Sequence, residues 1–274
     1  MCGINGIICR SATGLRERVD AMNQYLAHRG PDSEGTWVEG EVAFGHRRLS
    51  IIDLSDAGNQ PMISACGRYV LIFNGEVYNF RELRKQFNYP YISNTDTEVV
   101  LAAWSEKGSD AIELFEGMYA FAMWDKKERK LTLVRDRMGV KPLYYSHKNG
   151  NFVFSSEIRA LLASGVVEKK ISHTSLVDYL RYQTVQTPDT ILEGVKMLPP
   201  ATVLEYYPDD DEVKLYKYWY LRNINSNPRL SYEEVKEEVR RLFFAAVEKR
   251  LVADVPFGAF LSGGIDSSAV VGAM

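Results

Sequence analysis

Cys2 directly follows the initiator methionine. Cysteine is small enough for Met1 to be removed ahead of it, which would give Cys2 a free α-amino group. An α-amine has a pKa of about 7.7–8.0 and a thiol of about 8.5. Near neutral pH the amine can therefore take the proton of its own thiol, so that one residue supplies both nucleophile and base. The other use of a cysteine at such a position is as a buried small hydrophobe. Acyl transfer also needs donors aimed at an oxyanion. Phe73-Asn74-Gly75-Glu76 ends an apolar run (Val70-Leu71-Ile72-Phe73) with an amide side chain and a glycine whose N–H can approach a ligand closely. The same Asn-Gly pair is a strong hairpin-turn signal.

Two further segments carry charge suited to a zwitterion. In His46-Arg47-Arg48-Leu49-Ser50-Ile51-Ile52-Asp53 an arginine can hold a carboxylate in a bidentate contact, or sit as a solvated charge on an edge strand. In Asn94-Thr95-Asp96-Thr97-Glu98, which opens a helix, Thr95 or Asp96 can cap the helix, or Asp96 can receive an ammonium group. Near the other end of the chain, Ser262-Gly263-Gly264-Ile265-Asp266-Ser267-Ser268 follows an apolar run and opens a helix. Such a loop turns backbone N–H groups and a helix dipole toward an anion. It lacks the Gly-Lys-Ser/Thr ending of a Walker loop.

The elements that must position these residues read as α+β up to about residue 210. Strands are expected at 43–47, 68–73, 118–125, 130–135, 151–155 and 202–207, where aromatic and β-branched residues lie between turn signals such as Lys148-Asn149-Gly150. Helices are expected at 15–28, with Leu15, Val19, Met22 and Leu26 on one face, and at 97–107. Runs of strands beside helices predict layered packing rather than a regular βαβ series. The acidic Pro208–Glu212 and the polar Asn223–Pro228 read as surface connections. Ser231-Tyr232-Glu233-Glu234 is a capping-box pattern ahead of a helical run, and Val255–Leu261 reads as a buried strand. These signals divide the chain into a first domain over 1–210, a linker over 211–230 and the opening of a second domain over 231–274, cut short at Met274.

Composition sets the class. Of 274 residues, 46% are hydrophobic and 25% charged, which excludes a disordered or collagen-like chain. A formal charge of -3 lacks the basic footprint of a nucleic-acid binder. No apolar stretch nears the roughly 20 residues of a membrane span, and no basic segment precedes the short apolar N-terminus as in a secretory signal. Three cysteines, Cys2, Cys9 and Cys66, are too few for a disulfide or zinc scaffold. Cys9 and Cys66 read as buried structural thiols, and a cytoplasmic protein is expected.

Taken together, Met1-Cys2-Gly3-Ile4, Ala27-His28-Arg29-Gly30-Pro31-Asp32, His46–Asp53, Phe73–Asn79, Thr95–Glu98 and Arg135-Asp136-Arg137-Met138-Gly139-Val140-Lys141-Pro142-Leu143-Tyr144-Tyr145 resemble the glutaminase domain of class II glutamine amidotransferases. That resemblance implies a four-layer αββα N-terminal-nucleophile hydrolase sandwich. It implies that Cys2 attacks the side-chain amide of glutamine, with Asn74 and Gly75 forming the oxyanion hole. Arg48, Leu49 and Ile52 would bind the α-carboxylate end and Glu76 and Asp96 the α-amino group. Gly58-Asn59-Gln60-Pro61-Met62 departs at Asn59 from the family's usual Gly-His-Gln-Pro-Met.

The second motif resembles the pyrophosphate loop of ATP pyrophosphatases. By that resemblance Leu261, Ser262, Gly263, Gly264, Asp266 and Ser267 would line an ATP site, with Asp266 on Mg2+-pyrophosphate, and the second domain would open as helix, strand, loop and helix of an α/β nucleotide-binding unit. The order of the two motifs resembles that of glutamine-hydrolysing asparagine synthetases, ATP-dependent ligases whose substrates are glutamine, aspartate and ATP, and which are often homodimers. ATP and Mg2+ would then serve the complete enzyme and no cofactor the glutaminase half. A fragment ending at Met274 would be competent at most for glutamine hydrolysis. Paralogues that amidate another carboxylate, such as a sugar acid, share the same motifs. A non-catalytic interaction domain on the same fold is the reading from a different class.

Overall fold

The computed structural model describes residues 1–10, 13–221, 230–256 and 258–274. In chain order the elements begin with β1 (Gly3–Cys9), α1 (Leu15–Tyr25), β2 (Ser33–Glu39), β3 (Val42–Arg48), β4 (Met62–Ile63), β5 (Tyr69–Val77), α2 (Phe80–Arg84) and α3 (Asp96–Lys107). They continue with β6 (Gly117–Asp125), β7 (Lys130–Arg135), β8 (Tyr144–Lys148), β9 (Asn151–Ser155), α4 (Ile158–Ala163), α5 (His173–Tyr182), β10 (Lys196–Met197), β11 (Thr202–Tyr207) and β12 (Glu212–Lys217). Last come α6 (Tyr232–Glu248) and α7 (Ile265–Ala273).

The strands form two six-stranded sheets, ordered β10-β8-β9-β1-β3-β2 and β12-β11-β7-β6-β5-β4. Neighbours pair antiparallel, with Ile4 opposite His46 in the first sheet and Asn74 opposite Ala120 in the second. Three apolar layers hold the stack together. Between the sheets, Ile4, Ile8, Phe44 and Phe154 meet Val70, Ile72, Trp124 and Leu133. Phe152 stacks on Tyr206 across the gap, ring centroids 4.7 Å apart. Outside the first sheet lie α1 and α4, through Val19, Met22, Leu26 and Leu161. Outside the second lie α2 and α3, through Phe80, Leu83, Leu101 and Trp104. Each fully buried side chain of this size contributes about 1.5–3 kcal/mol, so the order of layers, helix–sheet–sheet–helix, is set by which faces are apolar.

Several expectations are corrected. β1 is a strand that alternation does not reveal: all seven of its residues are buried, because both of its faces are covered. The expected linker over 211–230 begins too early. Pro208–Asp211 is a tight turn, and Glu212–Lys217 pairs with β11 as the edge of the second sheet. Residues 222–229, which include the whole of the polar Asn223–Pro228 connection, lie outside the described residues. The capping box forms as expected: the Ser231 hydroxyl accepts from the Glu234 N–H, and the Glu234 carboxylate accepts from the Ser231 N–H. The buried strand expected over Val255–Leu261 is absent among its described residues, which are half-buried or exposed. Phe257 lies outside the described residues. A parallel strand needs a neighbour in its own sheet, and the described residues supply none there. Cys9 is buried, its thiol 2.8 Å from Asn151 Oδ1, but Cys66 is exposed. Among the described residues no helix is long and apolar enough to cross a membrane.

Candidate active site

Side chains alternate along a strand, and three inward-facing rows run off one end of the sandwich. β1 presents Ile8 and Ile4 and then reaches Cys2. β3 presents Val42 and Phe44 and then His46 and Arg48. β5 presents Val70 and Ile72 and then Asn74 and Glu76. Where the apolar rows stop, a cavity of about 260 Å³ opens, and Cys2, Arg48, Leu49, Ile52, Asn74, Gly75, Glu76 and Asp96 all line it. Every residue expected at the first site is therefore in one place. Met1, Gln60 and Lys141 line it too.

The Cys2 sulfur lies over the Leu49 peptide, 3.4 Å from its nitrogen and 3.7 Å from its oxygen. Burial pushes the thiol above its usual range, with the Leu49 N–H and the Arg48 charge acting the other way. The Cys2 carbonyl accepts a hydrogen bond from Arg29 Nε at 2.9 Å, and Arg29 is braced in turn by Glu157. Burial also lowers the α-amine at Met1.

Asn74 and Gly75 are not in a turn. They lie inside β5, whose ladder with β6 continues to Val77. On the edge of β5 turned away from β6, the Phe73 N–H donates to Gln60 Oε1 at 2.6 Å, and the Val77 N–H donates to Asp96 Oδ2 at 2.9 Å. Strand alternation turns the intervening Gly75 N–H to the same edge, between two occupied donors, where it faces the cavity. A side chain here would bring a Cβ within 2.4 Å of the Met118 carbonyl oxygen, so glycine is what lets the two strands close up. Asn74 is 1% exposed, and neither its Nδ2 nor its Oδ1 has a hydrogen-bond partner. Buried amides are nearly always satisfied. An unmet donor facing a cavity beside a thiol is the arrangement an oxyanion requires.

The charged residues resolve the remaining alternatives. Arg48 is 5% exposed on a strand flanked by neighbours on both sides, so it is not a solvated edge charge. Its guanidinium donates to the carbonyls of Ser55 (2.8 Å), Ile52 (3.4 Å) and Asp53 and to Asn59 Oδ1 (3.1 Å). The loop after β3 is thus wrapped around it. A carboxylate would meet the free Nε–H or take over the long Ile52 contact. That loop is also tied to the segment after α6: the Asp53 N–H donates to Asp254 Oδ2 at 2.7 Å, and the Asp254 N–H to the Ile51 carbonyl at 2.8 Å.

Thr95 caps α3 through the Glu98 N–H, while the buried Asp96 accepts from Val77 and Thr97. Desolvation, reinforced by nearby Glu76, raises Asp96 to about 7 despite those two hydrogen bonds. Glu76 is itself raised by burial, against the pull of Lys141.

Three positioning residues, Arg29, His46 and Gln60, were not assigned a role by sequence. All three are polar groups buried or braced beside the site, and only a fold shows what they touch. The second motif stands apart from this cavity. Leu261, Ser262, Gly263, Gly264 and Asp266 are exposed and Ser267 is half-buried, with the Ser262 and Ser267 hydroxyls 2.9 Å apart. Gly263 adopts φ 82°, and Gly264 caps α7, so the loop does turn a helix N-terminus outward. Asp266 is the loop's one carboxylate, and among the described residues no cluster of three or more His, Cys, Asp or Glu could hold a metal ion.

A family model described as "Glutamine amidotransferase domain" matches residues 1–219, and one described as "Asparagine synthase" matches residues 238–274. The putative asparagine synthetase (glutamine-hydrolyzing) 2 of Methanocaldococcus jannaschii is 37% identical over 294 residues, covering 100% of this chain and 57% of the relative. Asparagine synthetase (glutamine-hydrolyzing) 3 of Bacillus subtilis is 38% identical over 281 residues, covering 98% of this chain and 44% of its own. The chain thus spans about half the length of these curated relatives. Among solved structures, a glutamine phosphoribosylpyrophosphate amidotransferase from B. subtilis superposes with a TM-score of 0.60 at 17% identity, over 98% of this chain and 63% of that one. That likeness is one of fold, and it agrees with the four-layer αββα sandwich. With most of its length matched and its cavity built from the same ordered segments, the chain belongs to the glutamine amidotransferase family.

Proposed function

We propose that the cavity hydrolyses glutamine to glutamate and ammonia, with Cys2 as nucleophile once Met1 has been removed. The α-amine of Cys2 takes the thiol proton, and the sulfur attacks the side-chain amide carbon. The oxyanion that forms is met by Asn74 Nδ2 and the Gly75 N–H. As the intermediate collapses, the protonated amine returns its proton to the departing nitrogen, ammonia leaves, and a glutamyl thioester remains for water to hydrolyse. Arg48, Leu49 and Ile52 hold the α-carboxylate end of glutamine, and Glu76 and Asp96 its α-ammonium. Opposite charges at one end of the cavity select a free amino acid over a peptide or simple amide.

The observation that carries this reading is Asn74, buried in the lining of the cavity that Cys2 also lines, with both polar side-chain atoms unpaired. In the complete protein, the ammonia is passed to a β-aspartyl adenylate made from aspartate and ATP. Leu261–Gly264, Asp266 and Ser267 form the phosphate-binding end of that second site. Asp266 fits a Mg2+ ion there only together with ligands from the nucleotide phosphates, because it has no acidic neighbour in its own loop. The curated relatives, named as glutamine-hydrolysing asparagine synthetases, support aspartate as the acceptor. The first domain then runs through β12, and the second opens at the Ser231 cap.

Glutamate release by the purified chain, with Met1 removal verified by mass spectrometry, tests the reading. Cys2→Ala should abolish it, and Asn74→Ala should lower kcat about 100-fold, the usual cost of one oxyanion donor. Full activity in Cys2→Ala would overturn the mechanism.

A further inference from the structure

The segment Arg135–Lys141 has no part in the reaction as described above, yet it is among the most tightly held in the molecule. The Asp136 carboxylate, 1% exposed, accepts the N–H groups of Met138 (3.1 Å), Val140 (2.9 Å), Lys141 (2.9 Å) and Tyr119 (3.3 Å). Arg135 donates to the carbonyls of Lys141 (2.8 Å), Leu198 (2.6 Å) and Gly139 (2.6 Å). This bracing delivers one side chain. Lys141 is 3% exposed and lines the cavity with Cys2 and Glu76, and its ammonium has no hydrogen-bond or ion-pair partner among the described residues. Glu76 is the carboxylate that acts on it most strongly, without a hydrogen bond, and Asp136 is already filled by backbone amides.

An ammonium held on a buried lysine without an ion-pair partner is costly, and burial lowers it, so its charge is felt by the groups that share its cavity. Resting on the glutaminase reading above, we propose that Lys141 is a positioning residue that acts by charge: it holds the α-amine of Cys2 unprotonated and favours the thiolate, so that the residue can serve as its own base at neutral pH.

The charges around this point come from six elements, two of which, β3 with Arg48 and α3 with Asp96, act on the Cys2 thiol. Cys2 lies at the start of β1, Glu76 on β5, Arg29 in the turn after α1, and Asp136 in the Lys141 loop itself. At the Met1 α-amine, one residue ahead of Cys2, Glu76 favours the protonated form, and Lys141 and Arg29 oppose it. Arg29 is already engaged by the Cys2 carbonyl and Glu157, and Arg48 by the carbonyls of its own loop, which leaves Lys141, itself lowered by burial, as the cation with no hydrogen-bond partner among the described residues. The sign follows directly. A cation near an amine lowers its pKa, and a cation near a thiol lowers that too. Removing Lys141 therefore moves both groups upward, and the acid limb of the reaction moves with them.

The test compares wild type, Lys141→Met and Lys141→Arg, each with Met1 removed. The first readout is kcat/KM for glutamine hydrolysis against pH. The second is the rate of Cys2 alkylation by iodoacetamide against pH, followed by mass spectrometry of the N-terminal peptide. In Lys141→Met both acid limbs should shift to higher pH by about one unit, a tenfold loss at pH 7, and Lys141→Arg should restore most of it. Thermal unfolding gives the third readout. Deleting an unpaired buried charge should leave Tm unchanged or higher, whereas a merely structural lysine would lower it. Unshifted limbs in Lys141→Met, or a fall in Tm with loss of activity at every pH, would overturn the proposal. If alkylation shifts as expected but wild type hydrolyses no glutamine, the glutaminase reading fails and the charge effect on Cys2 stands.

Discussion

The imidazole of His46, on one sheet, donates through Nε2 to the carbonyl of Phe73, on the other, at 3.1 Å. The same Phe73 peptide donates its N–H to Gln60. The residue immediately before Asn74 is thereby fixed at both its N–H and its carbonyl, and His46 ties the two sheets together at the cavity. Burial drives His46 down to about 3, so the ring is neutral, with Nε2–H as donor and Nδ1 unpaired.

The neutral ring sets a pH dependence. The unfolded chain binds a proton at this histidine below about 6.5, and the folded chain does so only near 3, so stability falls as pH drops through that window. Between pH 7 and pH 5 the wild type should lose about 2 kcal/mol relative to His46→Gln. Urea titrations of both proteins at the two pH values check this, and parallel losses would show that the histidine is not responsible.

Asp96 works with the opposite sign. Its folded pKa is raised to about 7 from 3.8, so the folded state binds the proton more tightly, and this residue's contribution declines as pH rises from about 4 to about 7. A substrate ammonium needs the ionised form. In Cys2→Ala, which binds without turnover, the Kd for glutamine should rise about tenfold from pH 8 to pH 6, with proton release on binding near pH 7. Calorimetry in buffers of different ionisation enthalpy reads both, and Asp96→Asn should bind weakly at either pH.

Gly58 has no room for a side chain. A Cβ would stand 2.2 Å from Arg48 Nη2 and 2.9 Å from Thr95 Cγ2. Gly58→Ala should push the guanidinium out of its nest of carbonyls. The KM for glutamine should then rise about tenfold or more, while alkylation of Cys2 by iodoacetamide stays within about twofold of wild type. Equal losses in both assays would mean that the substitution had disturbed the whole cavity.

Sequence patterns carried the strands at 130–135, 151–155 and 202–207 to the residue, because there aromatic and β-branched residues lie between clear turn signals. The elements they missed include β2, β8, α4 and α5 as well as β1, where two covered faces erase alternation, and β12, where an exposed edge strand of mixed charge follows an acidic turn. The site was legible as residue types in order, and the cavity unites every one of those expected for glutamine. What spacing does not reveal is how the groups are committed. Arg48 reads as a free carboxylate clamp but spends most of its donors on its own loop. Asn74-Gly75 reads as a turn and is an interior stretch of strand. The Val255–Leu261 run reads as a core strand from its composition, yet composition cannot supply the neighbour such a strand must pair with.

Asp254 grips the Ile51–Asp53 peptides with one hydrogen bond in each direction, and those peptides, with Ser55, carry the carbonyls that seat the Arg48 guanidinium. A displacement of the Asp254 segment, which leads straight into the Ser262 loop, must either snap both links or drag the arginine's seat along with it. The Arg48 end of the cavity and the stretch that precedes the other motif are therefore geared together, through one carboxylate and one backbone amide of a single residue.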